Sequence, residues 1–287
     1  MKKKLILGIF LLMGILSFGD TFVSTEWLSQ NKNNIKIIDA RGKAYKLGHI
    51  PGAIEVNWKS LSNMDAEFGS EKWGTVLEID DLSKKLNELG IKSTDEIVVY
   101  SKTRGAWGED GRVYWTLQMA GFKNLHILDG GIEKWKSENR KTTISKTKYP
   151  EVTNSIVRWD NSRNITTDQL IQEFNDLVII DTREEDEYLG ATKFGEARGG
   201  HIKGAVNIPF NLFLEKDGTL KDSKAIEKIL KSKGIEDKDT AKIVTYCTAG
   251  IRSAHMQVVL EKLGYNARNY DPSFYRWAAI KTLKLEK

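Results

Sequence analysis

Only one cysteine, Cys247, occurs in the 287 residues, and its neighbours are the kind a nucleophilic thiol needs. It is followed by Thr248, Ala249, Gly250, Ile251, Arg252 and Ser253. The thiolate is the reactive form, and it is favoured by fixed positive charge and by inward-facing amides. Arg252 supplies the charge. The small residues Thr248, Ala249 and Gly250 allow a sharp turn that can aim the amides of Thr248 through Ser253 at one point. An isolated cysteine is most often an inert buried thiol. Here the arginine, the small residues and the flanking pattern together point to a nucleophile.

The flanking pattern is strand, loop, helix. Ile243, Val244, Thr245 and Tyr246 are β-branched or aromatic without polar alternation, which predicts a short buried strand. From about Arg252, Met256, Val259, Leu260 and Leu263 recur at a helical period. Cys247 is thus expected at the carboxyl end of a strand, where the loop enters a helix N-terminus that favours an anion. Such settings lower a thiol pKa from about 8.5 to roughly 3.5–7.5.

The chain repeats itself. Ser24-Thr-Glu-Trp-Leu matches Thr166-Thr-Asp-Gln-Leu, both helix starts of the capping-box kind. Ile35–Arg41 matches Leu177–Arg183, each a strand ending in Asp-x-Arg (Asp39, Arg41; Asp181, Arg183). Gly48-His-Ile-Pro-Gly-Ala53 matches Gly200-His-Ile-Lys-Gly-Ala205, and the offset between halves grows from 142 to 152. The second half therefore carries ten extra residues within Glu184–Gly199. Leu128–Trp135 matches Tyr270–Trp277, and Glu96–Tyr100 matches Lys242–Tyr246, so Ser101 stands where Cys247 does. Strand and helix signals alternate in each half, predicting an α/β fold with a mainly parallel sheet covered on both faces. The expected organisation is a leader at 1–19, a first domain at 20–145, a linker at 146–164 and a second domain at 165–287.

The cysteine loop, the Asp-x-Arg strands and the Gly-His-Ile-x-Gly-Ala turns, in this order and twice over, resemble the rhodanese family of sulfurtransferases in its tandem form. The likeness runs from about Phe22 to Trp277. It implies two rhodanese-like domains, the N-terminal one catalytically silent, and a Cys247 persulfide as intermediate. It also implies that Arg183 binds the anionic donor, against the alternative of a salt bridge to Glu184, Glu185 or Glu187. The amides of Thr248, Ala249, Gly250, Ile251 and Ser253, with Arg252, would complete the donor site. Arg252 and Arg183 together suit a compact dianion, so thiosulfate is the first expectation and 3-mercaptopyruvate the second. The loop matches neither the early basic residues of thiosulfate-preferring members nor the Cys-Gly-x-Gly-Val-x of mercaptopyruvate-preferring ones. Pro272 replaces a glycine more usual in its turn. Phe210–Lys221 resembles a connection that borders the site.

The remaining candidates read as structural. His49 and His201 occupy the same turn in both halves, silent half included, and should orient it. His255 is structural or solvent-facing, Asp181 ties the loop backbone, and Ser253 can cap the helix. Trp73, Trp107 and Trp115 are expected in the core, with a cleft lining as the alternative. No metal-ligand spacing appears, so neither metal nor cofactor is expected. Composition is that of a globular protein, 40% hydrophobic and 29% charged. The formal charge of +5 falls to +2 without Lys2, Lys3 and Lys4, which argues for neither nucleic acid nor anionic membrane as partner. Those lysines, the apolar run Leu5–Leu16 and Ser17-Phe18-Gly19 read as a cleaved secretory signal, giving an exported, periplasmic or secreted monomer without a lasting membrane span. Three activities remain open: a sulfurtransferase acting on a thiol, cyanide or protein-cysteine acceptor; a persulfide carrier; and a phosphatase. The phosphatase is disfavoured because cysteine phosphatases place five residues between cysteine and arginine, whereas four stand here.

Overall fold

The computed structural model describes residues 21–153, 155 and 157–287, so the expected leader lies outside the described residues. The first sheet contains β1 (Phe22–Val23), β2 (Lys36–Asp39), β3 (Ala53–Glu55), β4 (Ile97–Tyr100) and β5 (Leu125–Leu128), in the order β1-β5-β4-β2-β3. The second contains β6 (Asn164–Ile165), β7 (Val178–Asp181), β9 (Val206–Asn207), β10 (Lys242–Tyr246) and β11 (Asn266–Tyr270), in the order β6-β11-β10-β7-β9. Every neighbouring pair in both sheets is parallel. The strand β8 (His201–Ile202) stands apart and pairs antiparallel with β12 (Leu285–Glu286). The central strands are apolar because helices cover both faces. All of β4 is buried, and so is β10 after Lys242.

The helices are α1 (Thr25–Asn31), α2 (Ile79–Glu88), α3 (Glu109–Met119) and α4 (Gly131–Ser137) in the first half. In the second they are α5 (Thr167–Gln172), α6 (Glu185–Tyr188), α7 (Ser223–Ser232), α8 (Ile251–Lys262) and α9 (Ser273–Ala279). The expected N-caps form. The Ser24 side chain accepts from the Trp27 amide, and Thr166 with Gln169 makes a complete capping box. The charge-rich α7 buries only Ile226 and Leu230 and turns its lysines outward.

Helices α3 and α8 differ from the rest: residues 110–117 and 251–260 are buried on every side. A helix buried all round lies between layers, and these two meet at the junction of the halves. Ala254 and Val258 of α8 join the core of the first domain. The approach is so close that a Cβ at Gly111 would lie 2.5 Å from the His255 Cα. His255 is buried here beside the rings of Phe22 and Phe210, which excludes the solvent-facing alternative, and burial pulls its pKa down to about 4. The linker does not hang free. The Val152 and Arg158 amides donate to the Asn87 and Ala120 carbonyls of the first half. Among the described residues, no helix is long and apolar enough to cross a membrane.

Candidate active site

Strand β10 ends at Tyr246, and the next residue, Cys247, is 2% exposed. Three carbonyls of the following loop are drawn outward. Those of Cys247 and Thr248 accept the Phe274 and Tyr275 amides of α9 at 3.0 and 3.1 Å. That of Gly250 accepts Nη1 of Arg112, from α3 of the other half, at 3.1 Å. A peptide's N–H points opposite to its C=O, so the amides that follow these carbonyls turn inward. Gly250, at φ 76°, is the cap of α8; the expectation that Ser253 caps it is not met, because the helix begins two residues earlier. A Cβ at Gly250 would lie 2.6 Å from the Asp271 carbonyl oxygen. Pro272 is accommodated because the next residue, Ser273, takes the left-handed turn itself (φ 54°). Its hydroxyl donates to the Tyr270 carbonyl and accepts the Cys247 amide at 3.3 Å.

Burial alone would raise the Cys247 pKa, but opposing influences win and it falls below the ordinary thiol value. They are the charge of Arg252, the amides of Ser253 and Ala249, and the buried Ser253 hydroxyl, which has no other hydrogen-bond partner. Arg252 is not free, however. Its guanidinium meets Glu187 in two hydrogen bonds of 2.6 and 2.8 Å and donates to the Thr248 hydroxyl at 2.7 Å. That hydroxyl donates in turn to Glu187 at 2.9 Å. Glu187 is 1% exposed, and although burial opposes it, this pairing holds its carboxyl below the usual range.

Arg183 does not line the cysteine pocket. It is fully buried, its Nε and Nη2 bonded to Asp181 at 3.0 and 2.6 Å, and Nη2 also reaches the Gly200 carbonyl at 2.7 Å. Arg41 makes the same bonds to Asp39 and Gly48 in the half without a cysteine. The duplication marks a scaffold device that fastens a strand end to the Gly-His-Ile turn. The salt bridge offered as the alternative for Arg183 does form, but to Asp181 rather than to Glu184, Glu185 or Glu187. Asp181 also accepts the Tyr246 hydroxyl at 2.6 Å. His49 and His201 stack on Tyr45 and Tyr188, each at 3.6 Å, and hold the carbonyls of those tyrosines.

The half without a cysteine is built differently at the matching loop. Ser101 follows β4, but the amides of Gly111, Asp110 and Ser101 turn onto the Asp110 carboxyl. A buried carboxyl thus occupies amides around this loop. Burial raises its pKa to about 7 against the pull of those amides.

Cys247 lies at the base of a pocket of about 50 Å³ walled by Trp107, Phe194 and Tyr275. Trp107 and Phe194 pack edge to face at 5.1 Å, and the Tyr275 hydroxyl donates to the Phe194 carbonyl. Beside it, sharing Trp107, Phe194 and Arg252, lies a cleft of about 430 Å³ bordered by residues 103–107 and by Phe210–Gly218. Trp107 is 44% exposed here, against the expectation of core packing, which Trp115 does fulfil. Sequence reasoning missed four of the residues that build the site. Phe194 had a signal, since it lies in Glu184–Gly199, the span within which the cysteine half carries ten extra residues. Tyr275 had another, since it replaces Glu133 at the matching position. Glu187 was considered only as a partner of Arg183, and nothing in the sequence links Arg112 to a loop 138 residues away. Among the described residues, no cluster of three potential metal ligands occurs.

The model of the rhodanese-like domain matches residues 24–138 and 166–280. The chain belongs to the rhodanese-like family. Its two domains stand in tandem. The rhodanese is 28% identical over 281 residues to a "Putative thiosulfate sulfurtransferase" of Mycolicibacterium smegmatis, covering 93% of this chain and 98% of that one. It is also 28% identical over 287 residues to the "Sulfur carrier protein TtuD" of Thermus thermophilus, covering 93% and 97%. Among solved structures, that of YnjE has a TM-score of 0.81 at 20% identity, with 93% of this chain and 68% of that one aligned. Wild-type EanB has a TM-score of 0.80 at 19% identity, with 93% and 69% aligned. At these identities the two structures attest the fold alone.

Proposed function

We propose that this rhodanese is a sulfurtransferase working through a Cys247 persulfide. The supporting observation is the sole thiol at a strand end, its pKa lowered, in a loop whose carbonyls are held outward. The thiolate attacks the outer sulfur of a small donor, for which thiosulfate and 3-mercaptopyruvate are the candidates. With thiosulfate, the sulfur–sulfur bond of the donor breaks, sulfite leaves with the bonding pair, and Cys247 keeps the outer sulfur as a persulfide. The inward amides of Ala249 and Ser253 stabilise the anionic sulfur. A thiol, cyanide or protein cysteine then attacks that sulfur and frees the thiolate. Export as a monomer, with residues 1–19 as leader, belongs to the same proposal.

The similarity to a sulfur carrier protein favours a second reading, in which the persulfide is handed to a protein acceptor with little turnover of small donors. Thiocyanate release from each donor plus cyanide separates the two. An enzyme turns over repeatedly and loses activity in Cys247→Ser. A carrier shows one stoichiometric persulfide by intact mass and then stops. The donor-loading rate should rise with pH as Cys247 ionises and level off below about 8.5, the ordinary thiol value. An inflection at or above that value would count against an activated cysteine.

A further inference from the structure

We infer that Glu187 sets the charge of the cysteine pocket, so that the site selects singly charged organic sulfur compounds with an apolar body over inorganic dianions. This rests on the sulfurtransferase reading and specifies its donor class. A dianion needs uncommitted positive charge, and the pocket offers none. Arg252, the only cationic wall residue among the described residues, is held by Glu187 through two hydrogen bonds, and Arg183 lies outside the pocket with its Nε and Nη2 on Asp181 and its Nη1 buried. In the adjoining cleft, Lys193 is paired with Asp186, while Glu184 and Glu215 oppose Arg104. With Cys247 ionised, the thiolate, Arg252 and Glu187 sum to a single net negative charge. Each further charge on an incoming donor is therefore repelled.

The rest of the wall is aromatic. Trp107, Phe194 and Tyr275 surround the sulfur, and the first two remain partly exposed along the cleft. They offer ring faces and edges to an apolar group attached to the donor. An aryl thiosulfonate fits this chemistry. Its terminal sulfur bonds to the Cys247 thiolate, its sulfur–sulfur bond breaks, and the aryl sulfinate leaves with the electron pair. Two single negative charges enter, and two leave as persulfide and sulfinate.

The test measures persulfide loading, as kcat/KM, with thiosulfate, methanethiosulfonate and benzenethiosulfonate. Comparing each donor across variants cancels its intrinsic reactivity. Glu187→Gln should improve thiosulfate relative to benzenethiosulfonate at least fivefold, mainly through KM. Trp107→Ala, at a partly exposed position, should weaken benzenethiosulfonate at least fivefold relative to methanethiosulfonate. For the wild type, raising ionic strength should speed loading from thiosulfate, since salt screens repulsion. This arm holds even if Glu187→Gln fails to fold. A fall in thiosulfate loading with salt would show a net attractive site and overturn the inference, as would equal effects of Glu187→Gln on all donors. Those results would leave the sulfurtransferase reading intact. Failure of every donor to load a reduced Cys247 would overturn both.

Discussion

Ser101 and Cys247 follow matching strand ends, and Asp110 and Arg252 are each the second residue of the helix that comes next. Backbone amides around the loop meet the Cys247 sulfur in one domain and the Asp110 carboxyl in the other. The first half thus differs in two ways, a serine in place of the cysteine and a carboxyl among its amides. Restoring the cysteine at Ser101 would not create a second site, because Asp110 holds the amides. The carboxyl also carries a stability signature. Its pKa is about 7 folded against 3.8 for an ordinary aspartate, so the native state retains a proton that the unfolded chain has lost in that window. Stability should fall as pH rises from about 4 through about 7. Asp110→Asn keeps an acceptor for the amides and removes the ionisation. Thermal melts should show a gain at pH 8 that exceeds the gain at pH 5 by on the order of 2 kcal/mol. An equal effect at both would mean that the carboxyl is ionised throughout.

At the scale of elements, much was legible because the deciding forces are local. The capping residues Ser24 and Thr166, the apolar strand cores and the duplicated Asp-x-Arg and Gly-His-Ile motifs all appear where their patterns place them. Two positions depend on surroundings that no local pattern carries. Arg183 looked available because its mate is a buried aspartate two residues back, whose burial no periodicity reveals. Trp107 looked like core because the pocket it walls is completed by Phe194, from a loop of the other half. The loop's strictest element is Gly250, where the left-handed backbone and the 2.6 Å approach of the Asp271 carbonyl both exclude a side chain. Gly250→Ala should cost about 1 kcal/mol or more for the backbone alone. Because the clash falls on the turn that aims the amides, donor loading should drop by a larger factor than stability predicts. Parallel measurements of melting and loading on the folded fraction would reveal it. A loading rate unchanged per folded molecule would mean that the cradle tolerates the shift.

At the scale of the molecule, Arg112 ties the domain without a cysteine to the cysteine loop of the other. It is fully buried in α3 and paired with Asp271, and it donates to the Gly74 and Gly250 carbonyls at 3.0 and 3.1 Å. Asp271 in turn accepts the Val76 amide at 3.0 Å, so each domain holds the other. Structure and chemistry meet at one bond here, since the Gly250 carbonyl that Arg112 holds lies in the loop between Cys247 and α8. Replacing Arg112 by Met strands a buried carboxylate and should destabilise by about 3 kcal/mol. That loss alone would say nothing about the loop. Adding Asp271→Asn removes the stranded charge, and the double variant should regain most of the stability. Its Gly250 carbonyl still lacks the guanidinium, so its Cys247 should titrate at higher pH and load at least tenfold more slowly than wild type. Thiol alkylation rates against pH read this directly, without any assumption about the donor. Recovery of the wild-type thiol titration along with stability would reduce Arg112 to a brace between domains. A persistent upward shift in a stably folded double variant would make the silent half a working part of the cysteine site.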